Sequence, residues 1–102
     1  MHSSTVPVTI TPDAAARVAE LGMQAELEQM IEHTRQIVPG LQSLEVVLVE
    51  RYDLGGEPGI TIRALTTLFP PERVEDQWGS WQVRAFPGRV CEHFAMLTYP
   101  VE

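Results

Sequence analysis

The sequence predicts an α+β fold in which a long N-terminal helix packs on a four-stranded, mainly antiparallel sheet, in the order α-β-β-(short α)-β-β. Three observations support this prediction. Apolar residues at helical spacing span residues 11–38, two strand-like segments follow at residues 44–52 and 60–69, and shorter segments come after residue 70. One sheet with the helix on one face accommodates all of them. At 102 residues the chain is expected to be a single domain, 1–102.

The long helix has a signal at each end. Thr11 can cap the first turn, Pro12 suits the first helical position, and Pro39-Gly40 ends the helix. Gly22 lies inside it and leaves two alternatives. Either the helix bends at this glycine, or two helices meet there with Gly22 as the cap of the first.

Two apolar stripes run along this helix. The main stripe is spaced to cover a sheet and comprises Ala19, Met23, Leu27, Met30, Ile31, Thr34, Ile37 and Val38. A shorter stripe on roughly the opposite side comprises Ala14, Val18, Leu21 and Ala25. One stripe can cover the sheet, whereas the second needs another partner. The shorter stripe is therefore predicted to be an interface.

The first two strands of the predicted sheet form an antiparallel pair. Residues 44–52 are apolar on both faces, which indicates a central strand or one that is covered on both sides. Residues 60–69 supply its partner across a glycine-rich loop at 53–59. Residues 6–10 also alternate, but Pro7 lacks a backbone donor, which predicts an edge strand or an arm.

The second half of the chain is predicted in shorter pieces. Residues 71–77 suit a short helix, Gly79-Ser80 a turn, and residues 81–86 a strand with Trp81, Val83 and Ala85 inward. Residues 90–101 fit either a helix or a strand. We favour a turn at 89–92 and a strand from His93, which Pro100 ends or places at an edge.

Composition excludes several classes of partner. The net charge of −7 argues against binding to nucleic acid or to an anionic membrane surface. All seven basic residues are arginine, which removes chemistry that depends on a lysine. Cys91 is the only cysteine, so no internal disulfide forms, as is typical of a reducing cytosol. No segment resembles a signal peptide or a membrane span, and the expected location is cytoplasmic.

One stretch resembles a known family. Residues 27–68, with LEQMIEHTRQIVPGLQSLEVVLVE followed by ITIRALTT, resemble the opening helix and hairpin of GAF-type sensory domains. The resemblance covers less than half of the chain. It implies a sensory or interaction role without catalysis, and it assigns no binding residues.

Two constellations carry possible chemistry. Cys91 and His93 would point to the same face of a strand, where the histidine could activate a thiolate or join the cysteine as a metal ligand. Zinc needs about four ligands, and the spacing of the histidines supplies no such set, so no metal and no cofactor are predicted. Trp78, Trp81 and Arg84 could instead line a pocket for a small ligand.

The leading prediction is a small non-catalytic protein that acts through association, as a homodimer or as an accessory subunit of a protein partner. The first alternative is a sensory domain that binds a small molecule near Trp78 and Trp81. The second is a small enzyme that uses Cys91 and His93.

Overall fold

A computed structural model describes residues 6–50, 58–68, 73–86, 88 and 90–101. The elements are β1 (Val8–Ile10), α1 (Pro12–Leu21), α2 (Gln24–Ile37), β2 (Leu41–Glu50), β3 (Pro58–Thr66), α3 (Val74–Ala85), α4 (Val90–His93) and β4 (Phe94–Pro100). The α+β class is confirmed. The predicted loop at 53–59, Pro70-Pro71 and Pro87 lie wholly or mostly outside the described residues.

The long N-terminal helix is wrong, because the chain forms two helices that meet at Gly22. This residue has a φ of 66°, a left-handed conformation that glycine adopts without a Cβ penalty. Its amide donates to the Ala19 carbonyl, and the Met23 amide donates to the Val18 carbonyl, both at 3.1 Å. This pair of bonds ends α1 and satisfies its last carbonyls. Of the two alternatives at Gly22, the cap is therefore the correct one.

The four strands form one mixed sheet in the order β1-β2-β3-β4. The predicted antiparallel pairing of the two long strands is confirmed for β2 and β3, but β1 is parallel to β2 and β4 is parallel to β3. The sheet is thus not mainly antiparallel. Helices connect the strands of each parallel pair, and such crossovers bring the chain back to start the next strand in the same direction. As predicted, the strand at residues 6–10 lies at an edge.

Residues 81–86 are not a strand: residues 81–85 are the second half of α3, which runs straight through Gly79-Ser80, and Phe86 is its C-cap. The buried residues Val74, Trp78 and Gln82 are four positions apart, the spacing of one helix face. Val83, predicted to point inward, is 68% exposed. The helical period of the longer segment therefore prevails over a short alternation. The favoured turn and strand after residue 89 correspond to α4 and β4.

The hydrophobic core lies on one face of the sheet, which we call the inner face. The strand register places Val46, Ile62 and Met96 side by side on this face. Helices α1, α2 and α3 contribute to the same cluster, and the sheet residues in it are Leu44, Val46, Ile60, Ile62, Ala64, Phe94 and Met96. Leu68, which lies in the segment 60–69 predicted as a strand, is 58% exposed beyond the end of β3.

Candidate functional site

The four residues predicted as an interface do not form a surface patch. Ala14 and Val18 are buried at 0% and 2% exposure, Leu21 packs against the core, and only Ala25 is exposed. Once α1 separates from α2 at Gly22, it is free to turn its own apolar stripe toward the sheet. The predicted interface is corrected accordingly for Ala14, Val18 and Leu21, which stabilise the core of a single chain, whereas Ala25 stays at the surface.

The tryptophans predicted to line a ligand pocket form a packed aromatic cluster between α2 and α3. Trp78 is 2% exposed, and its indole Nε1 donates to the Thr34 hydroxyl at 2.9 Å. Trp81 is half-buried and stacks on His33. Arg84 borders a polar cleft on α3 that neither tryptophan lines, together with Arg73, Asp76, Gln77 and Ser80. The three residues therefore do not converge on one pocket.

Burial of the aromatic cluster affects one titratable group. Desolvation lowers the pKa of His33, and the positive charge of Arg84 lowers it further. Both causes favour the neutral imidazole in the stack with Trp81.

Cys91 and His93 lie on the single turn of α4, two residues apart. At about 100° per residue, their side chains leave the helix in nearly opposite directions, so the shared face expected of a strand does not exist. The Cys91 thiol contacts two backbone carbonyls, those of Phe86 at 3.4 Å and Gln82 at 3.5 Å. Both contacts engage the thiol with the backbone, and neither brings it to a base.

The other face of the sheet carries the unassigned apolar surface, and we call it the outer face. It is made of alternate residues of the three long strands: Glu45, Val47, Val49, Thr61, Arg63, Leu65, Ala95, Leu97 and Tyr99. None of the apolar side chains among them belongs to the described core cluster or packs against it, and Thr61 on the central strand is buried at 8% exposure. Val49 and Leu97 are 41% and 42% exposed. The sheet is therefore covered by helices on its inner side alone, within the described residues.

A compact polar group lies in the middle of this outer face. Glu45 and Arg63 are direct neighbours across β2 and β3, and the Arg63 guanidinium lies 3.6 Å from the Glu45 carboxylate. The same guanidinium lies 4.8 Å from the centre of the Tyr99 ring on β4. Both charged side chains remain about 40% exposed. The outer face thus combines one positive and one negative charge with a surrounding of apolar side chains.

Sequence reasoning detected this face only in part. The apolar residues on both sides of β2 predicted a second apolar face of the sheet, but they did not identify the side chains of the neighbouring strands that complete it. The pairing of Glu45 with Arg63 depends on the register of β2 and β3, which no local pattern specifies. The contribution of β4 depends on its position next to β3, which follows from the crossover through α3.

Further tests of site classes concern the described residues. Among them, no three histidine, cysteine, aspartate or glutamate side chains come together as a metal site. No helix in the described ranges is both long and apolar enough to cross a bilayer.

Comparisons with protein-family models, curated proteins and solved structures found no match to the chain.

Proposed function

We propose that this protein acts through association with a second copy of itself, and that the outer face of the sheet is the interface. The observation that carries the proposal is the apolar surface around the Glu45–Arg63 pair, which none of the described helices covers. Val47, Val49 and Leu97 lie outside the core, and two of them are more than 40% exposed. Burying such side chains against a partner is favourable by about 25 cal/mol per Å².

Charge argues for a second copy over an acidic or a basic partner. The chain has a net charge of −7, yet the outer face carries one acid and one arginine and is neutral. In a two-fold symmetric pair, each patch meets an identical patch, so Arg63 of one copy can face Glu45 of the other. A neutral, self-complementary patch suits this arrangement. The rest of the surface is acidic, and like charges would oppose pairing of two copies through it.

The size of the face is typical of a weak complex. Three strands about 4.8 Å apart and about 26 Å long give roughly 400 Å² in projection. Tight complexes bury about 800 Å² on each partner, so we expect a reversible dimer that dissociates on dilution.

Charge reversal tests the proposal by a gain of binding as well as by a loss of binding. The single variants Arg63→Glu and Glu45→Arg each place like charges across the symmetric interface, and both should be monomeric. Mixed together they should form a heterodimer, because each copy then meets the opposite charge. Sedimentation velocity from about 5 μM to about 500 μM covers the range in which the wild-type dimer should appear.

A second pair of variants isolates the apolar contribution. Leu97→Glu on the outer face should give a monomer, whereas Val83→Glu, equally apolar in origin but on the exposed side of α3, should leave the dimer intact. Circular dichroism checks that each variant is folded. A wild-type chain that stays monomeric at the highest concentration, or a mixture of the charge variants that does not associate, contradicts the proposal.

The two alternative functions gain no observation of this kind. The small-molecule sensor needs space beside Trp78, which is instead buried and hydrogen-bonded to Thr34. The enzyme needs a base beside the Cys91 thiol, which instead contacts two carbonyls.

A further inference from the structure

The two edges of the sheet differ in how their backbone groups are satisfied. At the β4 edge, residues with even numbers direct their amides and carbonyls away from β3, because the Val101 amide donates to Thr66. Side chains of α3 occupy this edge. Gln82 donates to the Phe94 carbonyl at 3.2 Å, and the Glu75 carboxylate accepts from the Thr98 amide at 2.8 Å. The β4 edge is thus protected against another strand.

The β1 edge is open by comparison. Leu44 donates to the Pro7 carbonyl and Thr11 donates to the Val46 carbonyl, so Pro7 and Thr11 direct these groups toward β2. Successive residues of a strand direct their backbone groups to opposite sides. Val8 and Ile10 therefore direct their amides and carbonyls away from β2, to the free side of β1. Within the described residues, no backbone group reaches the free side of Val8 and Ile10, and the Arg35 side chain reaches only the Val6 carbonyl, before β1 begins.

A trough lies directly beside this open edge, between β1 and α2. It consists of two adjoining clefts of about 610 and about 170 Å³ that share Ile31 and Glu28. Its apolar wall includes Leu27 and Ala25 of α2, and Ile10 is 40% exposed at its rim. We call these residues, with Val8, the β1 trough. A strand added to β1 would direct every second side chain into it.

The charge of the β1 trough selects the occupant. Glu28 lines both clefts, and no ion pair among the described residues joins it to a basic side chain. Arg35, the one arginine among the described residues that line the trough, is already engaged by the Glu32 carboxylate and by the Val6 carbonyl, both at 3.3 Å. A second copy of β1 would bring one unpaired Glu28 toward another, which is unfavourable.

We propose that the β1 trough binds an extended, partly apolar peptide segment of a partner protein, by strand addition to β1, with a basic side chain of the segment placed at Glu28. Backbone hydrogen bonds to Val8 and Ile10 hold the segment, and its alternate side chains contact Ile31 and Leu27. This surface is separate from the proposed dimer interface, so either proposal can fail without the other.

A designed peptide provides the probe. The probe is a short fluorescent peptide with threonine at every second position. Valine, arginine and valine occupy the positions between the threonines, so that these three side chains face the trough. Fluorescence polarisation with the full chain should show saturable binding. Replacing the arginine with glutamate should weaken binding about tenfold or more, since like charges repel in the trough. The protein variant Glu28→Arg should reverse this preference, whereas Asp76→Arg on α3 should leave it unchanged.

Backbone methylation distinguishes strand addition from simple contact with the apolar wall. Alternate amides of an added strand point toward β1 or away from it, so N-methylation of one alternate set should abolish binding and methylation of the other set should be tolerated. Equal effects of both sets, equal binding of the arginine and glutamate peptides, or no binding by the wild-type protein overturns the proposal.

Discussion

The imidazole of His33 stacks on the indole of Trp81, with ring centroids 3.9 Å apart and planes 8° from parallel. This contact joins α2 to α3, and it continues through the edge-to-face packing of Trp81 on Phe86 at 5.4 Å. The second tryptophan of the cluster joins the same two helices through the Thr34 hydroxyl. The aromatic cluster therefore fixes α3 onto α2, in the first half of the chain.

The stack predicts that stability falls in mild acid. Burial and Arg84 lower the pKa of His33 below its usual 6.5, so the unfolded chain binds this proton more tightly than the folded one. Well above pH 6.5 the imidazole is neutral in both states and has no effect. Stability should fall as the pH drops below 6.5, and the loss is complete below the folded pKa. Urea unfolding between pH 5 and pH 8 measures this.

The matched variant for this prediction is His33→Phe, which keeps a ring on Trp81 but cannot titrate. It should lose the pH dependence just below 6.5. Asp13, whose pKa is also lowered, chiefly by the Thr11 hydroxyl, affects stability only in a more acidic range, below 3.8. A slope that persists unchanged in His33→Phe would show that another group causes it.

The buried hydrogen bond between Trp78 and Thr34 predicts that removing its acceptor lowers the free energy of unfolding. Thr34 is fully buried, accepts from the indole and donates to the Met30 carbonyl at 2.7 Å. Thr34→Val should cost about 1–3 kcal/mol of unfolding free energy, because the indole N–H loses its acceptor. A double-mutant cycle with Trp78→Phe should show positive coupling between the two sites. Strict additivity would exclude an energetic role for the bond.

Two glycines predict opposite effects of the same substitution. Gly22 has a φ of 66°, so Gly22→Ala should lower the unfolding free energy by about 1 kcal/mol through backbone strain. Gly79 lies within α3 with a right-handed backbone, and Gly79→Ala should raise it by about 0.5–1 kcal/mol. A new Cβ meets nothing within 4 Å at either position, so neither substitution creates a steric clash and the two effects differ only through the backbone conformation. Effects of equal sign in chemical denaturation would contradict this account.

The protection of the β4 edge predicts a role for one surface carboxylate. Glu75 accepts hydrogen bonds from the amide and the hydroxyl of Thr98, both at 2.8 Å. Glu75→Ala should cost about 1 kcal/mol and increase concentration-dependent aggregation, since it exposes a strand edge. Asp76→Ala is the control, because both acids lie in the first turn of α3 and share its dipole. Thermal unfolding and light scattering should separate the two variants, and indistinguishable behaviour would rule out the edge contact.

Local signals in the sequence determined the parts of this protein that depend on neighbouring residues. Thr11, Pro12 and Gly22 define the bounds of α1 because capping and left-handed backbone geometry are properties of a few adjacent residues. The β2–β3 pair follows from two long strand-like segments close in the chain. The edge position of β1 follows from Pro7, which has no amide to donate.

Tertiary structure decided what depends on distant residues. The direction of the strands follows from how the helices pack on the sheet, and helix packing also placed Ala14 and Val18 in the core instead of at an interface. Residues 81–85 are helical because Trp78 and Gln82 bury the same face of α3 against α2 and β4. The outer face and the β1 trough exist only after the strands align, since both join side chains whose proximity is set by register and not by spacing along the chain.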